Sequence, residues 1–278
     1  MQLKPLLPLS FFSLLLLIAC TQPSSDAASE EDASAEKERR VVTRVFPVLE
    51  DFYQITLVGS FQLEISEGPC SVTAIGDSST IAGMRCSVSY GGLTLSTPAE
   101  ENYDVSRFAM SNRTRVLVSL PELRILANCA SGHISYHGLL RTPRLHIGGM
   151  GDGSITIDSI ACGHFRYECS RQTDACFPYV SCDTAELLTY GTGRTQVGVE
   201  AGEMVVCDLS SQGGMDVQAR SPFVYVYGRT SGDATFDVQT DEIIIEWQGD
   251  GTVTLSGTAK QQTITDGHRG QIVNELTR

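Results

Sequence analysis

Lysine almost disappears from this 278-residue chain after position 40, where Lys260 is the only one left. Setting aside Lys4, Lys37, Arg39 and Arg40, sixteen bases face twenty-seven acids from residue 41 onward, a net charge of −11. The arginines fall singly and never form a basic run, which excludes nucleic acid and anionic membrane surfaces as expected partners of this part. Tryptophan is as rare, with Trp247 alone. No apolar run reaches the ~20 residues of a spanning helix, and no helical periodicity is sustained after residue 41. A phosphate loop, a dinucleotide fingerprint, a haem motif and the Gly-x-Ser-x-Gly elbow are missing too. No cofactor is therefore expected.

What is present begins with a leader. Lys4 precedes an apolar run over 6–19, and the run stops at Leu17-Ile18-Ala19-Cys20. This is the layout of a secretory signal peptide over 1–19, and its last four residues resemble the lipobox of bacterial lipoproteins. The resemblance implies cleavage before Cys20 and acylation of its thiol, hence a bilayer anchor in the bacterial outer membrane; two or more acyl chains hold a protein stably. Residues 21–40 are rich in Ser, Ala, Asp and Glu and contain no aromatic residue. Such a segment cannot bury enough apolar surface to order itself, so 20–41 is expected to be a tether with an r.m.s. reach of ~25 Å. Its acidic cluster near Cys20 resembles stretches that send some lipoproteins to the cell surface.

Eight cysteines follow Cys20. They permit 105 pairings. Cys162, Cys169, Cys176 and Cys182 lack the close Cys-x₂₋₄-Cys spacing of zinc sites, so no metal is expected. Buried thiols and one or two disulfides are expected instead, one of them involving Cys169.

Alternation of apolar and polar residues marks short half-buried strands, as in Phe61, Leu63 and Ile65 or Val116 and Val118. Residues 42–120 are thus expected to form an N-terminal region of short strands, with a polar loop over 100–112. From 121 to 278 the chain repeats. Leu145 and Ile147, then Gly151-Asp152-Gly153, then Ile155 and Ile157 match Ile243 and Ile245, Gly249-Asp250-Gly251, and Val253 and Leu255. Copies starting at 123, 145, 165, 187, 204, 224 and 243 give a period near twenty. Two short strands and a glycine turn at that period indicate an all-β solenoid of about seven or eight coils, because one coil cannot bury its apolar face and stacked coils can. A polar tail from residue 266 is expected to finish it.

The sequence also resembles the auto-transporter adhesin head GIN domain family of Bacteroidetes-type lipoproteins. The matching residues are 52–55, then Gly59, Ser60, Phe61, Leu63, Ile65 and Gly68, then Gly92, Leu93 and Leu95, then Val116, Val118, Leu120, Pro121 and Leu123, followed by the Gly-Asp-Gly coils. The resemblance spans about 45–275. It implies a right-handed parallel β-helix, no assigned catalytic residues and a surface-binding role. The many cysteines depart from the pattern, as does Asn128-Cys129 where Gly or Ser is usual.

An enzyme alternative is a solenoid carbohydrate lyase or hydrolase, which needs two carboxylates ~5–9 Å apart or an acid-held cation. Asp152, Asp233 and Asp250 would supply it if their turns stacked into an acidic ladder, although Asp beside Gly is also ordinary turn chemistry. His133, His137 and His146 would join such a site if stacking gathered them. A second alternative is an architectural envelope protein that packs on itself. The favoured expectation is a non-enzymatic, lipid-anchored protein that binds a glycan or protein through the side of the solenoid. Tyr225, Tyr227 and Trp247 are its candidate ligand-binding strip, provided they share an outer face.

Overall fold

The computed structural model describes residues 41–48, 50–97, 114–267 and 269–278. The leader, Cys20, the tether up to residue 40 and the loop expected over 100–112 lie outside the described residues. Strand accounts for 69% of the described residues and helix for 3%. No described helix is long and apolar enough to cross a membrane.

In chain order the elements are β1(Val41–Phe46), β2(Gln54–Val58), β3(Gln62–Glu67), β4(Ser71–Asp77), α1(Ser78–Gly83), β5(Arg85–Ser89), β6(Gly92–Ser96), β7(Arg115–Leu120), β8(Ile125–Asn128) and β9(His133–Arg141). They continue with β10(Arg144–Gly149), β11(Ser154–Ala161), β12(His164–Cys169), β13(Asp174–Thr189), β14(Thr195–Leu209), β15(Met215–Gly228), β16(Ala234–Trp247), β17(Thr252–Asp266) and β18(Gln271–Asn274). The coils pair in parallel to make a β-solenoid of about seven turns preceded by the N-terminal strands. One side stacks β6, β2, β8, β10 and β12, then the later parts of β13 to β17. A second side stacks β7, β3, β9 and β11, then the earlier parts of β13 to β17, and ends on β18. Register shifts after Ile157 and Phe177 bend the strand into a short third side through Ile160, Val180 and Val199.

Strand pairing along the stack replaces the hydrogen bonds that isolated short strands would lack, and side-chain alternation fills the interior. Leu145, Phe165, Ala185, Val205, Val224 and Ile243 form one inward column, each fully or almost fully buried. Phe177 meets Phe165 and Tyr167 edge-on at centroid distances of 5.5 and 5.2 Å. That contact fills the coil where Cys176 and Pro178 interrupt the aliphatic pattern.

The register corrects the repeat alignment. Leu187 stacks on Tyr167, and the partner of Phe165 is Ala185; Met204 stacks on Thr184. The copy starting at 187 is displaced by two residues from Ala185, which keeps side-chain parity, whereas the copy starting at 204 is displaced by one from the inward Val205, which pairs with Ala185 and Val224. Likewise Leu123 lies one residue before Arg124, whose carbonyl accepts from His146 N–H at 2.9 Å.

The glycine corners have a steric cause. A Cβ on Gly151 would lie 2.0 Å from the Ala130 carbonyl oxygen, and one on Gly153 would lie 1.9 Å from that of Gly132. Each corner therefore rests on the backbone of the coil below. Asn128, the departure from the family pattern, braces one corner: its buried Nδ2 donates to Gly132 O at 2.7 Å.

The N-terminal strands do more than precede the stack. The β2–β3 coil lies between β6–β7 and β8–β9, so the chain passes outward over its own first coil. Antiparallel strands finish that end, with β4 on β7, β1 on β4 and β5 on β6. Changing strand direction there blunts an edge that would otherwise invite another chain.

The structure describes eight free thiols after Cys20, where sequence favours one or two disulfides. Cys169 faces the core, and its Sγ donates to the carbonyls of Arg171 and Thr173 at 3.6 and 3.5 Å.

Candidate outer-face binding site

The two broad outer faces differ in chemistry. Over the second side the outward residues of β14 to β16 are polar, with Gln196, Asp216, Gln218, Thr235 and Asp237. Over the first side the same coils present Met204 and Val206, then Phe223, Tyr225 and Tyr227, then Ile244, all half-buried. Register places Val206, Tyr225 and Ile244 in one column and Met204 beside Phe223. Leu188, Asp208, Tyr227 and Glu246 form the next column. The result is a continuous apolar and aromatic patch with Asp208, Glu242 and Glu246 at its rim. Burial pushes the Tyr225 phenol up, and the neighbouring carboxylate of Glu246 adds to it. Both favour the neutral phenol, which keeps its hydrogen-bond donor.

Toward the N-terminal coils the same face becomes charged. Arg166 bridges Glu186 at 2.6 Å and Glu168 at 3.2 Å, with His146 4.0 Å from Glu168 and His164 3.8 Å from Glu186. Burial, aided by Arg166, holds the His146 imidazole below its ordinary pKa. These groups satisfy one another. The apolar patch lies beyond them on the same face.

Tyr225 and Tyr227 thus occupy the outer face, but Trp247 leaves the expected strip. Its side chain is fully buried, its indole N–H donates to Gly251 O at 3.0 Å, and its ring lies over Gly228. The cause is the coil length. Tyr227 stacks on Glu246 and Gly228 on Trp247, a step of nineteen residues. An odd step exchanges odd and even positions, and alternation then turns Trp247 inward.

The enzyme constellation does not assemble either. Asp152 and Asp250 occupy corresponding turns several coils apart, whereas Asp233 sits two positions later in its turn and accepts from Thr252 N–H at 2.9 Å. Asp152 instead lies 3.8 Å from Arg171. His133 meets Ser154 at 2.9 Å, His137 meets Asp158 at 3.3 Å, and His146 faces Glu168. Each histidine pairs with the next coil, and the three do not converge.

Sequence reasoning missed a groove of about 180 Å³ at the bend into the third side. Gln218, Arg220, Asp237, Gln239 and Glu200 line it, with Tyr179 at 72% exposure. The bend follows from the register shift between Phe177 and Val180, for which the only sequence signal was Pro178.

The family described as “Putative auto-transporter adhesin, head GIN domain” matches residues 51–222. The chain belongs to this family. Solved structures share this fold at low identity. A “putative adhesin” from Parabacteroides distasonis is 14% identical with a TM-score of 0.69, covering 85% of this chain and 98% of that one. A “putative adhesin” from Bacteroides fragilis is 17% identical with a TM-score of 0.60, covering 85% and 97%. A “putative lipid binding protein” from Parabacteroides distasonis is 15% identical with a TM-score of 0.63, covering 87% and 98%. No curated protein matches the chain.

Proposed function

We propose that this head GIN protein is a non-enzymatic envelope lipoprotein, held in the outer membrane through acylated Cys20, that adheres to an extracellular glycan or protein through the outer face of β14 to β16. The observation that carries this reading is the contrast between the two outer faces. Coils with the same fold and period are polar on one face and present Phe223, Tyr225, Tyr227, Val206 and Ile244 on the other. Solenoid packing does not require the difference, and exposed contiguous apolar surface marks contact sites. Tyrosines suit the role, since each offers a rigid apolar ring and a polar tip. The adhesin wording attached to two structural relatives agrees with it.

The test is a glycan and matrix-protein array probed with the chain expressed from Thr21, beside Tyr225→Ala/Tyr227→Ala and Arg220→Ala. The expected result is a bound ligand whose signal falls at least tenfold in the tyrosine variant and stays unchanged in the arginine variant. Loss with Arg220→Ala alone would move the contact to the groove. Turnover of any array glycan would refute the non-enzymatic reading, and capture by neutral phospholipid vesicles would favour a lipid ligand.

The anchor has its own test. Cys20→Ser in the full precursor is expected to shift the protein from the membrane pellet to the soluble fraction. A protein still pelleting with membranes and still labelled by a fatty-acid probe would contradict lipidation at Cys20.

A further inference from the structure

Where the third side turns into the first, each coil places one small side chain at the corner. Register pairs Cys182 with Ala201, and Ser221 with Thr240 and Thr240 with Ala259; Ala201 and Ser221 are joined in the same column because each directly follows the paired residues Glu200 and Arg220. Cys162 precedes Cys182, because the flanking pairs Ala161–Ser181 and His164–Thr184 keep one twenty-residue offset, and Cys162 N–H donates to Ser181 O at 3.0 Å. Thr142 precedes Cys162 in turn, since Arg141 pairs with Ala161.

The hydroxyls of this column have a structural task. Thr142 Oγ1, Ser221 Oγ and Thr240 Oγ1 each donate to the carbonyl two residues ahead, at 3.2, 3.1 and 2.9 Å. Neither thiol makes that bond. Two consecutive coils therefore carry cysteine where the corner favours a hydroxyl and tolerates alanine. Cys162 and Cys182 are also the cysteines that occupy the same position of adjacent coils among the described residues. Adjacent strands run ~4.8 Å apart, inside the ~4.4–6.8 Å Cα separation that a disulfide spans.

We propose that Cys162 and Cys182 are a redox pair that closes into a disulfide between adjacent coils. Cys162 is the entry point, because it lines a shallow surface depression with Glu122, Arg141, Thr142 and Pro143, while Cys182 is only 8% exposed. With glutathione disulfide as oxidant, the Cys162 thiolate attacks one glutathione sulfur, forming a mixed disulfide and releasing one glutathione. The Cys182 thiolate then attacks Cys162 Sγ and releases the second. The new Cys162–Cys182 bond replaces the glutathione S–S bond, the two cysteines are oxidised, and their two protons end on the two glutathiones. Burial pushes the Cys162 thiol up to about 11 and the Cys182 thiol up to about 12, so the reaction should speed up as pH rises toward those values. An exported protein meets an oxidising compartment, but the pairing does not rest on the outer-face reading.

The test uses the chain from Thr21, reduced, freed of reductant and exposed to glutathione disulfide at pH 8.5, followed by alkylation in denaturant and peptide mass spectrometry. The expected product is a Cys162–Cys182 linked peptide pair, a loss of two alkylatable thiols, and a higher urea midpoint than the reduced chain. Cys162→Ser/Cys182→Ser keeps a hydroxyl at both corners and should fold with a midpoint unaffected by oxidant. Recovery of both cysteines as free thiols or as separate glutathione adducts, or pairing of either with another cysteine, would overturn the proposal. So would an equal midpoint shift in the double-serine variant.

Discussion

Replacing Trp247 by alanine is expected to lower folding stability by ~3–5 kcal/mol, the range for deleting a large aromatic side chain from a packed core. Three observations converge on this residue. It is fully buried, its indole N–H satisfies Gly251 O at 3.0 Å, and its ring occupies the space that Gly228 leaves by having no Cβ, which would lie 2.1 Å from ring carbon Cε3. The alanine variant therefore loses packing and one of the two hydrogen bonds to the Gly251 carbonyl, which keeps only the longer bond from Gln271 N–H at 3.3 Å. Trp247→Phe keeps part of the ring and should lose less. Urea unfolding followed by far-ultraviolet circular dichroism measures both, and a Trp247→Ala loss below ~0.5 kcal/mol, the range of surface changes, would place the indole outside the core.

The second large effect comes from adding a single methyl group. A Cβ on Gly191 would stand 1.7 Å from the Arg171 carbonyl oxygen, and backbone flanks it on the coil below. Neither partner is a flexible side-chain end, so two coils must separate or the corner must rebuild. Gly191→Ala is expected to cost ~3 kcal/mol or more, at or above the upper end of ordinary overpacking. Gly148→Ala is the matched control. Its new Cβ would make only contacts of 3.8 Å and beyond, and it should change stability by no more than ~0.5 kcal/mol. Equal losses at the two positions would mean that coil spacing does not cause the glycine corners.

Both effects bear on what the sequence could disclose. Repetition was readable because stacking imposes the same two demands on every coil: inward aliphatics, as in Ile147, Ile245 and Leu255, and corners without Cβ, as in Gly151 and Gly249. Those demands revealed the solenoid and its period. Coil length was harder to read, since the chain changes from twenty-residue steps, as from Val205 back to Ala185, to nineteen-residue steps, as from Ile243 back to Val224. A difference of one residue leaves each coil's alternation intact but reverses which residues of neighbouring coils share a face. This is why Trp247 seemed to belong with Tyr225 and Tyr227. The passage of β6 and β7 outside β2 and β3 was illegible for another reason: both coils have the same local pattern, and only pairing partners order them in space. The groove beside Tyr179 depends on a bend, and the histidines and Asp233 on where turns fall in depth. Neither leaves a periodic signal.

The outer-face patch raises a question of economy in the fold. Val206, Tyr225 and Ile244 are β-favouring residues, and part of their presence follows from cross-strand packing. Packing alone would serve the second side equally well, yet Gln196, Asp216 and Thr235 stand there. Under the proposed reading, the acidic rim of Asp208, Glu242 and Glu246 would favour neutral or basic partners on this face.

The central claim is that recognition takes place on this face and not at the turns or the groove. Hydroxyl-radical footprinting tests it most directly, on the chain from Thr21 with and without the ligand found by the array. The account predicts that oxidation of Met204, Phe223, Tyr225 and Tyr227 falls on binding while that of Tyr179 is unchanged. Protection of Tyr179 with Phe223, Tyr225 and Tyr227 still oxidised as in the free chain would contradict it.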